Sequence, residues 1–390
     1  DATYTFTIYY SEVDVWDGTS VSSGLSGSGT AEDPYLIQSG ADLAYLKSVV
    51  DAHNTADGTS TKHATREQYF VFAGKYFKLT KSIDLNGNNF VIGYYTGWDK
   101  YSAFAGVLDG NNCSIRGLNI NQKLGALVGA VAGGTIENLS VYGSATSNAG
   151  YVSGVVTHVL NSSTLNNVTN YVNVTSTSGT YVGGIACTLE NNGGTIKNCV
   201  NYGTVTSSGN FTGGIAGCFR ALIENCVNWG DITGAANTAG IGAFCDKTAG
   251  KIVGSINYGT IRGTNVSGGV AGRADGSISN SINYGTVYGS SYEIGGISGT
   301  AGSISGCINY GDVTNTADCV GGIVGTATGK VSGCYNYGNL SGTGRVGGIA
   351  YQTFSTIENC ENHGNINGSW DLGGILAYVA SGKSSSIINS

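Results

Sequence analysis

Acidic side chains are the first residues in this sequence that could perform chemistry, because paired carboxylates cleave glycosidic bonds. A short motif, Asn-Tyr-Gly or a close variant, recurs through the second half of the chain, and the residue after it is acidic at Asp231 and Asp312. If each repeat is one coil of stacked β-strands, these acids lie three coils apart, or about 14 Å. Paired glycosidase carboxylates are about 5 to 9.5 Å apart. The spacing therefore does not favour a catalytic pair.

The other candidates for catalysis or metal binding are also weak. Glu358 and Glu361 form the closest acidic pair of the repeats, but they flank a predicted bend, which is typical of solvated turn residues. Asp84 and Asp109 lie among Gly and Asn, a composition that suits calcium loops but is commoner in turns. The four histidines are widely separated: His53, His63, His158 and His363. We therefore expect no cofactor, no metal site and no enzyme activity, with a polysaccharide lyase or hydrolase as the weakest alternative.

The ten cysteines indicate packing more than cross-linking. Five share one repeat position: Cys199, Cys226, Cys307, Cys334 and Cys360. Ser255, Ser281, Val168 and Leu139 take that position in neighbouring repeats, which marks a small buried slot. We predict free, buried thiols there. The alternative is an isolated disulfide among the cysteines outside this row, namely Cys187, Cys218, Cys245 or Cys319.

The aromatic residue of the recurring motif is the sharpest candidate for binding. Its members are Tyr202, Trp229, Tyr258, Tyr284, Tyr310, Tyr337 and His363. At strand spacing these rings would stack along one face of the molecule. If they point outward, they present a ribbon of rings to a glycan or to another protein. Otherwise they form a ladder that only stabilises the fold, and the sequence leaves both interpretations open.

The elements that position these residues follow from the repeat itself. The motif Asn201-Tyr202-Gly203 returns six times, at spacings of 27, 29, 26, 26, 27 and 26 residues, and a Gly-Gly-Ile marker keeps step with it. Segments between Gly, Asn and Ser are too short for helices, so we predict three strands per coil. The fold class is therefore all-β: a right-handed parallel β-solenoid (β-helix) of about 26–29-residue coils.

Three features of each repeat predict the details of the coil. The position three residues before the Asn is always Asn or Gly, which indicates a left-handed backbone bend. The motif Asn would form a ladder of amides from coil to coil. Three apolar rows should point inward, typified by Ile185, Ile196 and Val205.

The first 130 residues depart from the repeat. We divide the chain into an N-terminal strand and loop segment (1–30), a capping helix with irregular first coils (31–130) and the repetitive solenoid (131–390). The amphipathic helix is predicted over Ser39–Val50, where it would cap the open end of the solenoid. The chain starts at Asp1 and contains no Met, which suggests a processed or trimmed product of a longer precursor.

Composition limits the partners. A net charge of −7 with scattered Lys and Arg argues against nucleic acid, and no apolar run is long enough to span a membrane. The 65 glycines have no Gly-X-Y period and only one Pro accompanies them, which excludes collagen. Abundant Val, Ile and Tyr argue against a disordered linker.

The residues also resemble a known family. The patterns Gly-Gly-Ile-x-Gly and Ile-x-Asn-Cys-x-Asn-x-Gly-x-Val, with the leader Trp16-Asp17-Gly18 and the segment Phe104 to Gly110, are similar to GLUG-type repeats of bacterial cell-surface proteins. Those proteins include adhesin-like proteins and the stalks of some secreted immunoglobulin A peptidases. The resemblance covers most of the chain from Trp16 onward and implies an extracellular or cell-surface location. The family has no catalytic motif to transfer, and the zinc motif His-Glu-x-x-His is absent here.

Two functions follow as hypotheses. The first is a secreted or cell-surface adhesin or stalk that presents a rigid face to glycan, host protein or matrix. The second is a structural protein that assembles into extracellular filaments or a surface layer, through the solenoid ends or through residues 1–15.

Overall fold

The computed structural model describes residues 12–52, 70–97, 100–148, 150–190, 193–379 and 384–390. Within these ranges the chain winds into a β-solenoid of about eleven turns, with coils of about 28 residues. Strands in successive coils pair in parallel, with every repeat in register with the next. The predicted fold class is confirmed in this architecture.

The strands form five columns, numbered here along a coil from the strand that ends at the Gly-Gly marker. Column 1 is a nine-stranded sheet of its own within the described residues. It contains Gly150–Ser153, Gly179–Gly183, Phe211–Gly213, Thr238–Ala239, Ser267–Gly268, Ile294–Gly295, Val320–Gly321, Val346–Gly347 and Leu372–Gly373. Column 2 contains Phe70–Val71, Lys100–Phe104, Val128–Ala132, Val156–Leu160, Ala186–Leu189, Ala216–Phe219, Gly242–Cys245, Val324–Ala327, Ala350–Thr353 and Leu376–Tyr378. Two longer strands, Ala271–Ser279 and Ser298–Ser305, run through columns 2 and 3.

Columns 3, 4 and 5 complete each coil. Column 3 contains Tyr35–Ile37, Tyr76–Leu79, Val107–Asp109, Thr195–Lys197, Leu222–Glu224, Lys251–Val253, Val331–Ser332, Thr356–Glu358 and Ser386–Ile388. Column 4 contains Val13–Val15, Ser82–Asp84, Val200–Asn201, Val227–Asn228, Ile256–Asn257, Ile282–Asn283, Ile308–Asn309, Tyr335–Asn336 and Glu361–Asn362. Column 5 contains Val205–Ser207, Ile232–Thr233, Ile261–Arg262, Val287–Gly289, Val313–Asn315, Leu340–Gly342 and Ile366–Asn367. Ser114–Asn121 spans columns 4 and 5, Thr135–Ser147 and Thr164–Ser176 span columns 3 to 5, and Tyr94–Gly97 pairs antiparallel with Lys100–Phe104.

Bends divide the coil more finely than the sequence predicts. A regular coil such as 211–233 has five short strands, so the expectation of three strands per coil is wrong. One of the two additional breaks falls at the left-handed residue between columns 3 and 4, which interrupts the strand on either side of it. That residue has positive φ in every regular repeat, for example 55° at Asn198, 61° at Gly254 and 50° at Asn280. The prediction of an Asn-or-Gly bend is confirmed.

The interior is filled by the predicted rows. Ile185, Ile196 and Val205 are fully buried. Their counterparts in the following coils are also buried as far as Ile357. Ile366, the last counterpart of Val205, is half-buried. Such aliphatic side chains contribute roughly 1.5–3 kcal/mol each on burial. The apolar core therefore runs as one continuous column along the solenoid axis.

A ladder of amides lies inside the coil beside this core. Asn201 donates from Nδ2 to Oδ1 of Asn228 at 2.8 Å, and Asn228 does the same to Asn257 at 2.8 Å. Each amide also donates to a backbone carbonyl of its own turn, as Asn201 does to Gly203 at 2.8 Å. The ladder continues from Asn170 to Asn362, which confirms the predicted structural role of the motif Asn.

One helix lies within the described residues. Helix α1, Gly40–Ala52, begins at the cap residue Ser39, whose Oγ accepts a hydrogen bond from the backbone N–H of Asp42 at 3.2 Å. Leu43, Leu46 and Val50 are fully buried in the common core. The helix therefore covers the first coil, as predicted. Among the described residues no helix has the length and apolar character to cross a membrane.

Candidate functional site

The aromatic residues of the motif lie on the outer surface of the solenoid. Each follows the buried Asn at the end of column 4, and because successive side chains of a strand alternate, the ring points away from the core. Tyr202 and Tyr310 retain 46% and 43% of their surface exposed, and Trp229 retains 48%. The structure thus decides the orientation that the sequence left open.

The rings stack directly on one another. Centroids of successive rings are 3.9 to 6.3 Å apart, and the planes differ by only 3 to 11°. We call this set the aromatic ladder: Tyr142, Tyr171, Tyr202, Trp229, Tyr258, Tyr284, Tyr310, Tyr337 and His363. At the start of the ladder the guanidinium of Arg116 lies 5.5 Å from the ring centroid of Tyr142.

This stacking determines which part of each ring a partner can reach. The two faces of an internal ring such as Tyr284 are covered by Tyr258 and Tyr310, at centroid distances of 4.9 and 5.0 Å. The outer edge remains in solvent. The ladder therefore presents ring edges and polar ring atoms, and only its terminal rings have a face without an aromatic neighbour in the ladder.

Two members of the ladder were not predicted from the sequence. Tyr142 and Tyr171 extend it toward the N-terminus, but their motifs are incomplete: Val141-Tyr142-Gly143 lacks the Asn, and Asn170-Tyr171-Val172 lacks the Gly. The sequence indicated these two residues only through part of the motif, Tyr142-Gly143 and Asn170-Tyr171. Tyr171 is 38% exposed, so the outward face starts before the regular repeats.

The acids near the ladder support the backbone of neighbouring coils. Asp231 accepts a hydrogen bond from the backbone N–H of Thr260 at 2.8 Å, and Asp312 accepts one from Asn339 at 2.8 Å. Glu358 pairs with Lys330 at 2.5 Å. Glu361 lies 2.9 Å from Nε2 of His363.

The residues considered for calcium are part of turns. Asp84 accepts from the backbone N–H of Asn86 at 2.8 Å, and Asp109 accepts from Asn111 at 2.8 Å and from the amide of Asn138 at 3.0 Å. Nowhere in the described ranges do three or more His, Cys, Asp or Glu side chains cluster as metal ligands would. His53, His63 and residues 1–11 lie outside the described residues.

All ten cysteines are free. The row of five motif cysteines is fully buried, as predicted, and Cys187, Cys218, Cys245 and Cys319 also form no bridge. Burial raises the pKa of Cys226 well above its ordinary value. Hydrogen bonding with the Cys307 thiol, together with burial, raises the pKa of Cys334 to about 12.

A second aromatic stack, which the recurring motif does not predict, follows columns 1 and 2. Tyr151, Tyr181 and Phe211 stack at 5.3 and 4.9 Å along column 1, and Phe211 contacts Phe244 of the next coil at 4.3 Å. The available signal was an aromatic residue two positions before the Gly-Gly marker in successive repeats. The buried ring of His158 lies beside this stack, 4.8 Å from Tyr151.

An ion-pair network lies alongside the second stack. Arg220 donates from Nε to Asp246 at 2.7 Å and from Nη1 to Glu190 at 3.1 Å, and Glu190 is almost fully buried. Burial opposes the charge of Asp246, but the hydrogen bond from Arg220 holds its pKa below the ordinary value. The three side chains come from three successive coils, so the network ties those coils together.

Comparisons with known proteins add limited information. No family model matches the chain. Halomucin from Haloquadratum walsbyi (strain DSM 16790 / HBSQ001) is 31% identical over 130 residues, which is 32% of this chain and 1% of halomucin. A solved structure described as a putative immunoglobulin A1 protease from Bacteroides ovatus is 20% identical and covers 93% of this chain and 85% of that one. Its TM-score of 0.33 is too low to support a structural or functional argument.

Proposed function

We propose that this chain is a secreted or cell-surface repeat protein that acts as an adhesin or stalk and presents the aromatic ladder to an extended partner. The observation that carries the proposal is the ladder itself. An unbroken row of aromatic side chains along one outer face of the solenoid is unusual, because monomeric proteins rarely expose contiguous apolar patches.

The form of the ladder suits adhesion. Tyr and Trp combine apolar area with a polar atom and are enriched where proteins bind partners. The buried Asn ladder directly beneath holds the rings in a fixed register, so a partner meets a surface that needs little ordering on binding. A polymer that runs along the solenoid axis, such as a glycan chain or an extended matrix protein, can contact several rings at once.

The proposed extracellular location is inferred from the composition of the chain and from its similarity to other proteins. The chain resembles GLUG-type repeats of bacterial cell-surface proteins, and part of it is similar to halomucin. Neither its charge nor its apolar pattern favours nucleic acid or a membrane span.

Binding to arrayed glycans and to immobilised matrix proteins tests the proposal. The fluorescently labelled chain is expected to bind at least one glycan or matrix protein. The variant Tyr258→Ser/Tyr284→Ser/Tyr310→Ser is expected to bind that ligand at least tenfold more weakly, because three adjacent rings are lost. The control Tyr292→Ser removes a tyrosine that is 65% exposed and outside the ladder, and it should bind like the original chain. The absence of any ligand, or equal binding by the ladder variant, would overturn the proposal.

Self-assembly into filaments is the second candidate. It follows from the solenoid architecture, because open strand edges of a β-solenoid can pair with a second copy of the chain. Electron micrographs of the purified chain would then show polymers. The variant Leu372→Glu/Ile387→Glu should remove them if the solenoid end is the contact, and deletion of residues 1–15 should remove them if that segment is.

A further inference from the structure

A cavity of about 420 Å³ lies between the C-terminal end of α1 and the first irregular coils. Its lining includes Lys47, Asp51, Tyr94, Tyr95, Gln122 and Thr157. The volume falls within the range of about 300 to 1,000 Å³ that is typical of small-molecule sites. None of the lining residues belongs to the aromatic ladder, so the cavity is a separate feature of the molecule.

Two glycines allow the walls of the cavity to come together. Gly93 has φ of 68°, and a Cβ there would lie 2.4 Å from the carbonyl oxygen of Ser102. A Cβ at Gly129 would lie 2.6 Å from the carbonyl oxygen of Gly93. Because no larger residue fits at either position, the strand Tyr94–Gly97 can pass close to both the helix and the next coil.

The polar groups of the lining are held in place by their neighbours. Asp51 pairs with Lys47 through one carboxylate oxygen and accepts the backbone N–H of Gly93 at 2.8 Å through the other. The amide of Gln122 accepts from Asn89 at 3.1 Å and donates to the carbonyl of Leu124 at 2.6 Å. Each of these amide and carboxylate groups still has hydrogen-bonding capacity to spare. They are therefore positioned before any ligand arrives.

One wall is stiffened by ring stacking. Tyr95 stacks on the buried His158 with centroids 3.7 Å apart and planes 25° apart. His158 in turn contacts Oγ1 of Thr157 through Nδ1 at 3.0 Å. The wall thus continues into the second aromatic stack of the solenoid.

The charges of the described lining residues cancel. Lys47 and Asp51 neutralise each other, and the remaining described lining residues carry no charge. An anionic ligand would approach the Asp51 carboxylate and a cationic one the Lys47 ammonium, so neither gains net attraction. The lining mixes hydrogen-bond donors and acceptors with the apolar surfaces of Val91, Leu124 and the tyrosines.

We propose that this cavity binds one neutral sugar unit, either free or at the end of a glycan chain. Each hydroxyl group of a sugar can both donate and accept a hydrogen bond. The lining offers partners for both roles: the ammonium of Lys47, the carboxylate of Asp51, the amide of Gln122 and the phenols of Tyr94 and Tyr95. The C–H face of a sugar ring supplies the apolar contact that the tyrosines can satisfy. The site does not depend on the aromatic ladder, so either can fail in experiment without the other.

Titration of the whole chain with small probes tests this site. Saturation-transfer NMR and calorimetry with neutral hexoses and N-acetylhexosamines are expected to show saturable binding of at least one of them. A hexuronic acid and a hexosamine, which carry a charge, should bind at least tenfold more weakly than that neutral sugar. A free amino acid should not bind. Charged sugars that bind as tightly as neutral ones, or the absence of any saturable neutral sugar, would overturn the proposal.

Variants place the ligand in the cavity. Gln122→Ala and Tyr94→Ala should each weaken binding of that sugar at least tenfold, whereas Asn121→Ala alters an exposed neighbouring amide outside the lining and should not. Tyr94→Phe keeps the ring if Tyr94→Ala fails to fold, and it should weaken binding through loss of the hydroxyl alone. The ladder variant Tyr258→Ser should bind the sugar normally. Unchanged binding by Gln122→Ala and both Tyr94 variants would move the site elsewhere.

Discussion

At the scale of single residues, the buried thiols show how position controls reactivity. The motif cysteines are fully buried in the core, where a reagent in solution does not reach the thiols. Cys113 differs because it is half-buried. The molecule therefore contains both protected thiols and an internal reference for labelling.

We predict that Cys199, Cys226, Cys307, Cys334 and Cys360 stay reduced and do not react with an alkylating reagent until the protein unfolds. Mass spectrometry after alkylation in native buffer measures this. Cys113 should label first and serves as the control for reagent activity. Rapid labelling of the motif cysteines, or a disulfide between Cys307 and Cys334, would contradict the buried row.

His158 is a second residue whose environment has a measurable consequence. Burial lowers its pKa to about 3, against an ordinary value near 6.5. Because the folded state binds the proton less readily than the unfolded state, stability contributed by neutral His158 is full above about pH 6.5 and declines as the pH falls toward 3.

We therefore expect the free energy of unfolding to decrease between pH 6.5 and 3, in part through His158. Chemical denaturation at several pH values measures this dependence. The variant His158→Phe keeps an aromatic ring beside Tyr95 and Tyr151 but cannot be protonated, so its curve should be flatter over this interval. Identical pH dependence in the original chain and His158→Phe would contradict the assignment.

At the scale of elements, a residue in one coil contacts the equivalent residues of the coils above and below it. The Asn ladder is the clearest case because an amide both donates and accepts. Asn283 receives from Asn257 at 2.8 Å and donates to Asn309 at 2.8 Å and to Gly285 at 2.8 Å. All of these groups are buried, so a missing partner is not replaced by water.

Asn283→Ala should therefore lower the free energy of unfolding by about 1–3 kcal/mol for each buried group that it leaves without a partner. Urea denaturation monitored by circular dichroism measures the loss. Asn339→Ala removes an exposed amide of the same type and should cost less than about 1 kcal/mol. Similar losses for both variants would show that the buried ladder contributes no more than a surface hydrogen bond.

At the scale of the whole molecule, the solenoid depends on its ends. Each coil buries its apolar face only against its neighbours, so a terminal coil needs a cover. Helix α1 supplies that cover at the N-terminal side through Leu43, Leu46 and Val50.

Leu46→Asp places an unpaired charge under the helix and should detach it from the first coil. We expect concentration-dependent association, measured by size-exclusion chromatography with light scattering, because the apolar end becomes exposed. Ser48→Asp changes an exposed residue of the same helix and should leave the protein as it was. If Leu46→Asp elutes like the original chain at all concentrations, α1 does not protect the end.

The architecture could be predicted from the sequence because every repeat has the same pattern of turn residues and apolar residues. The spacing of the motif predicted the coil length, the Asn-or-Gly position predicted the bend seen at Asn198 and Gly254, and the apolar rows predicted the core. The buried thiols and the Asn ladder followed from the same periodicity. A one-dimensional pattern is sufficient here because each coil contacts only its immediate neighbours.

The candidate sites depended on contacts that periodicity does not encode. The direction of the aromatic rings and the covering of their faces became clear only when the buried Asn fixed the alternation at the end of column 4. The second aromatic stack passes from column 1 to column 2 across a corner of the coil, and the Glu190–Arg220–Asp246 network joins unlike side chains at one position of three successive coils. The cavity combines α1 with residues about 40 to 110 positions further along the chain, where the sequence is irregular. Such sites arise from the packing of non-repetitive segments, so only the tertiary structure brings their residues together.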